Sequence, residues 1–125
     1  MSKSATYTYA RKIQAMVHEV GIDIVIVKMK KTPEWVRQRL SIARLHHSAG
    51  EMVDKGEISI TNALILADFT PIQQLYLQND AKSMSAEDFT NRVHRFKEWI
   101  IENKDSDGKV PMENQGVNRD TESVS

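Results

Sequence analysis

The sequence predicts an all-α fold: a helix-turn-helix followed by a small helical bundle, with a disordered C-terminal tail. Three observations carry this. Apolar residues recur at three- and four-residue spacing through residues 5–102, helix-capping residues and glycines punctuate that spacing at short intervals, and no second convincing strand pairs with the one β-favouring segment.

Residues 5–20 place Tyr9, Ile13, Met16, Val17 and Val20 on one helical face, and Gly21 stops the pattern. Residues 22–31 are ambiguous. Ile24, Val25, Ile26 and Val27 are all β-branched and lose rotamer freedom in a helix, which favours a strand. An unpaired strand leaves backbone groups unsatisfied, so the segment reads as a short helix capped by Asp23.

Residues 30–45 are the stretch around which the rest is organised. Thr32 suits an N-cap and Pro33 the first helical position, where its missing N–H costs nothing. From there to residue 44, Val36, Leu40 and Ala43, widened by Trp35 and Ile42, form an apolar stripe, with Glu34, Arg37, Gln38 and Ser41 pointing away from it. Arg37 and Gln38 carry the planar, forked groups that bond guanine and adenine edges in a major groove. Lys30, Lys31, Arg39 and Arg44 suit phosphates. Taken alone, the stretch is better read as a solvated amphipathic helix, and it is the context in the chain that turns the reading toward DNA.

Four further helices follow. Residues 46–55 offer Ala49, Met52 and Val53 for burial and stop at Gly56. Ser59 caps residues 60–69, with Ala63, Leu64, Leu66 and Ala67 as core. Thr70, Pro71 and Gln73 spell a cap, a first position and a capping-box partner for a helix to about residue 79, with Ile72, Leu75, Tyr76 and Leu77 apolar. Ser85 and Asp88 open the last helix, to about residue 102, which buries Phe89, Val93, Phe96, Trp99 and Ile100 and exposes Arg92, Arg95, Lys97 and Glu98. Residues 103–125 are poor in apolar side chains and rich in Asp, Asn, Ser and Gly, the composition of a disordered tail. The expected organisation is therefore a DNA-binding region over 1–58, a helical buttress of the same domain over 59–102, and the tail.

Net charge is zero, but it is split. Residues 1–47 hold nine Lys/Arg against three acids, and the remainder holds eight against fourteen, so one end suits a polyanion and the other does not. With 40% hydrophobic and 27% charged residues the chain has an ordinary globular composition. No apolar run approaches the roughly 18 residues of a membrane span, and the start lacks a signal-peptide core, so a cytoplasmic location is expected. The absence of cysteine removes disulfides, thiolate zinc sites and cysteine nucleophiles. His46 and His47 are adjacent, about 100° apart on a helix, and do not chelate one ion there; His18 stands alone. No Gly-rich phosphate loop and no nucleophile beside a base is visible, so neither enzyme activity, cofactor nor metal is expected.

The order of elements and several residues resemble the central helix-turn-helix DNA-binding domain of the ParB/KorB family of plasmid and chromosome partition proteins. The shared pattern comprises Gly21, the turn Lys31-Thr32, the aromatic-Val pair Trp35-Val36 and the pair Arg39-Leu40. It continues through Leu45, Glu51, Gly56, the step Ile58-Ser59 and Ala63, and spans roughly residues 7–93. The resemblance implies that residues 23–29 are the first helix of the motif and 33–44 the recognition helix, and that Thr32, Glu34, Arg37, Gln38 and Arg39 meet DNA. The chain departs from the family at Ile24, Ile26 and Val27, where small or acidic residues are usual, and in a shorter spacer after Gly21. The family's Gly-His-Ala-Arg run here reads Thr61, Asn62, Ala63, Leu64, without the His and Arg. The nucleotide-binding module that precedes the domain in the family has no counterpart, so nucleotide-driven clamping is not expected of this chain alone.

The expected function is sequence-specific binding of double-stranded DNA, partition-type or as a related transcriptional regulator of a plasmid or phage, nucleoid-associated. The expected assembly is a homodimer, alone or with a separate partition or repressor protein. The alternative is a small helical protein-interaction adaptor that presents 24–27 or 89–99 to a partner and does not bind DNA.

Overall fold

A computed structural model describes residues 5–103. Among these residues there are seven helices and no strand: α1 (Thr6–Val20), α2 (Ile22–Met29), α3 (Pro33–Ala43), α4 (His47–Asp54), α5 (Ile60–Leu66), α6 (Pro71–Ser83) and α7 (Ala86–Glu102). None is long and apolar enough to cross a membrane. The expected disordered tail lies almost wholly outside the described residues.

Side-chain caps open the helices where the sequence places them. Thr32 accepts from the Trp35 amide at 3.0 Å, Ser59 from Asn62 at 3.1 Å and Ser85 from Asp88 at 3.1 Å. Thr70 and Gln73 form a reciprocal capping box. Each cap satisfies a donor that the first helical turn leaves unpaired, worth about 1 kcal/mol.

The β-branched segment is helical, as α2, because tertiary packing outweighs its local preference. Val25 is buried with Ile13 and Val36, and Ile22, Ile26, Met29, Trp35 and Leu40 pack around them. Asp23 is not the cap. Gly21, at φ 91°, occupies that position, and its N–H bonds the Val17 carbonyl at 2.8 Å, so this one residue both closes α1 and opens α2. Asp23 sits in the first turn, where its charge suits the helix dipole.

A larger core joins α1 and the end of α3 to α4–α7, with Phe89, Phe96, Leu66, Leu77 and Ile42 at its centre. Along α1, Ile13, Met16 and Val17 face inward as expected, but Tyr7 and Ala10, not Tyr9, are the buried residues of its first turns. Tyr7, Ala10 and Ile13 are buried, whereas Tyr9 and Val20 are nearly half exposed. The reason lies in α4: Asp54 accepts hydrogen bonds from the Tyr7 amide (2.6 Å) and the Thr8 hydroxyl (2.7 Å), capping α1 from 46 residues away. The Tyr7 ring lies directly on Gly50, where any Cβ would strike it.

Two helices end elsewhere than predicted. α5 stops at Leu66, with Phe69 buried in the turn beyond, and α6 runs one turn further, to Ser83. The inward face of α6 is Gln73, Gln74, Leu77 and Ala81, leaving Ile72 and Leu75 exposed. Gln74 is buried because its amide donates to the Phe69 carbonyl at 2.9 Å while its oxygen accepts from the His46 amide. It thereby ties the turn before α6 to the turn before α4.

Candidate nucleic-acid interface

The turn between α2 and α3 is three residues, Lys30 to Thr32. Lys30 closes α2 in the left-handed conformation (φ 57°, ψ 42°), and it is the one non-glycine residue with positive φ among those described. The Lys30 and Lys31 amides bond back to the Val27 and Ile26 carbonyls, so two of the last four carbonyls of α2 are satisfied as the chain turns toward α3. Thr32 then caps α3, with Pro33 first in the helix.

The buried side of α3 is Val36, Ile42 and Ala43, with Trp35 and Leu40 half-buried. On the outer side Glu34, Arg37 and Gln38 are exposed, and Ser41 is half-buried. The side chains of Arg37 and Gln38 make no hydrogen bond or ion pair with other described residues, so their donors and acceptors face solvent. Lys30, Lys31, Thr32 and Arg44 are also exposed. Arg44 follows the last turn of α3, seven residues after Arg37 and so about 10 Å further along nearly the same line.

Arg39 departs from this arrangement. It lies about 160° around the helix from Arg37, is half-buried, and stacks its guanidinium on the Trp35 ring at 4.5 Å. Lys31 approaches the same ring, its Nζ 5.0 Å from the centroid, and Tyr9 meets it edge-on at 6.3 Å. Arg39 thus belongs to a flank of α3 facing α1, and not to the face that carries Arg37.

Several other polar groups singled out by the sequence are engaged inside the molecule. His46 is an N-cap, its Nδ1 accepting from the Ser48 amide at 3.1 Å. It is therefore outside the helix, and the rings of His46 and His47 stack at 4.6 Å instead of diverging by a helical step. Among the described residues no group of three or more His, Cys, Asp or Glu is arranged to hold a metal. Arg92, expected on a solvated face, is half-buried: it pairs with Asp80 at 3.0 Å and lies over the Tyr76 ring. Asn62 is buried and donates to the Ala81 and Met84 carbonyls, both at 3.1 Å, which directs it into the bundle and away from any external ligand. Compared with protein families, curated proteins and solved structures, the chain matches none.

Proposed function

We propose that this chain binds double-stranded DNA sequence-specifically, as a partition-type binder similar to ParB/KorB proteins or as a related transcriptional regulator of a plasmid or phage. The observation that carries the reading is the pair Arg37 and Gln38. Both are exposed and unengaged on the outer side of a helix that is capped at its start and packed along its back. Arg bonds guanine O6 and N7 in a bidentate manner and Gln does the same to adenine N6 and N7, so adjacent residues of these two types suit a major-groove edge. Lys30, Lys31 and Arg44 are exposed at the two ends of the same helix, where phosphates flank an inserted recognition helix.

A single helix covers only a few base pairs, so a useful site calls for two copies on a palindrome, and a homodimer is part of the proposal. Its location would then be the cytoplasm, on the nucleoid. Selection from a random duplex pool tests this: an enriched palindrome supports specific binding by a dimer, and a pool without enrichment overturns it.

The adaptor reading keeps one supporting observation. Ile24 (54% exposed) and Val27 (76%) leave an apolar strip on α2 open to solvent. Binding through that strip would be nearly indifferent to salt, whereas DNA binding weakens steeply as salt rises.

A further inference from the structure

Between the first turns of α1 and the middle of α3 lies an open cleft of about 360 Å³, lined by Thr6, Thr8, Tyr9, Lys12, Trp35 and Arg39. On its wall the Trp35 indole carries the Arg39 guanidinium at 4.5 Å and meets the Tyr9 ring at 6.3 Å, and the Lys31 ammonium, which does not line the cleft, lies 5.0 Å from the same indole. Lys12 joins Trp35 and Arg39 on the cleft wall from α1. None of Lys12, Lys31 and Arg39 is ion-paired with a described carboxylate. The carboxylate next to the start of α1, Asp54, is already engaged by the Tyr7 and Thr8 amides and the Thr8 hydroxyl. Gathering cations without a counter-charge costs repulsion, which an anion in the cleft would offset. Stacking occupies the face of the Arg39 guanidinium and leaves its edge N–H groups to donate, the orientation that suits a phosphate.

Position on the helix says which phosphate. Lys31, Trp35 and Arg39 follow one another at four-residue spacing, and Trp35 lies about 60° around α3 from Gln38. An α-helix about 10–12 Å across nearly fills a major groove about 12 Å wide, so a phosphate backbone runs along each flank of an inserted helix. Trp35 and Arg39, about 60° and about 100° around α3 from Gln38, form one such flank.

We infer that this cleft is a docking site for a backbone phosphate of duplex DNA, bound by Arg39 and Lys12, with Trp35 as the positioning residue that holds Arg39 in place. The inference rests on the DNA-binding reading above and extends the contact surface from α3 onto α1.

The test compares the salt dependence of binding to a short random-sequence duplex for the wild-type chain, Lys12→Gln, Arg39→Gln, Trp35→Phe and Trp35→Leu, with helicity checked by circular dichroism. Lys12→Gln and Arg39→Gln are each expected to reduce the slope of log K against log salt, by no more than about 0.9, the value for one lost phosphate contact. Trp35→Leu is expected to weaken binding to all sequences, and Trp35→Phe, which keeps an aromatic face, to restore part of it. Wild-type slopes in Lys12→Gln and Arg39→Gln, while Arg37→Ala still loses base discrimination, would overturn the cleft and leave the DNA reading standing. A wild-type chain with no salt-dependent duplex binding would overturn both. A final arm titrates inorganic phosphate at constant ionic strength into a Trp99→Phe variant, whose only tryptophan is Trp35. No saturating emission change is expected, and one would assign the cleft to a free phosphoryl ligand instead.

Discussion

The two halves of the molecule treat their polar side chains in opposite ways. In the bundle of α4–α7, polar groups close on one another: Arg92 on Asp80, Asn62 on the carbonyls ending α6, Gln74 between two turns, and Lys82 near Glu57 at 3.9 Å. In α2–α3, Arg37, Gln38 and Lys30 are exposed and engage no described side chain, and Lys31 and Arg39 share an indole without a carboxylate. The cores differ in the same sense. The helix-turn-helix rests on the three fully buried residues Ile13, Val25 and Val36, whereas the bundle packs three phenylalanines and a continuous aliphatic interior. The larger core lies in one half, and the exposed, unengaged side chains Arg37 and Gln38 in the other.

That contrast is open to attack by mutation. Phe96→Ala, in the bundle, is expected to cost about 3–5 kcal/mol in urea unfolding, through lost burial and a residual cavity. It should weaken any DNA binding only as far as it unfolds the chain. Gly50→Ala places a Cβ against the Tyr7 ring and is expected to cost about 1–3 kcal/mol, by overpacking the contact that orients α1. Arg37→Ala should leave the unfolding free energy within about 0.5 kcal/mol of wild type. It should also lose about 1–3 kcal/mol of discrimination at one base position of a selected site, read by competition against a single-base variant. Lys30→Gly relieves the left-handed backbone of a side-chain-bearing residue and is expected to raise stability by up to about 1 kcal/mol. The same change should weaken DNA binding on all sequences alike. A gain in stability paired with a loss of affinity at one residue is the sharpest form of the contrast.

The local signals of the fold were legible in the sequence. Thr32, Ser59, Thr70 and Ser85 act as caps where the sequence places them, since a cap depends on residues within one turn of itself. What depends on distant partners was not legible. The inward face of α1 follows from Asp54 and Gly50 in α4, and the burial of Gln74 and Asn62 follows from carbonyls left open at other helix ends. Within the candidate site, the freedom of Arg37 and Gln38 could be read from periodicity. The displacement of Arg39 to the Trp35 flank, and the entry of Tyr9 and Lys12 beside it, required α1 to be in place. Helical spacing alone already separates Arg39 from Arg37 by more than a right angle, and that was the available clue.

Amide chemical-shift mapping of the folded chain against duplex DNA tests the central claim most directly. The account predicts that perturbations concentrate in the turn at Lys30 to Thr32 and along α3 through Gln38, weaken as salt is raised, and leave the amides of α7 unmoved. Perturbations confined to Ile24 and Val27 or to α7, or none at all at low salt, would contradict it.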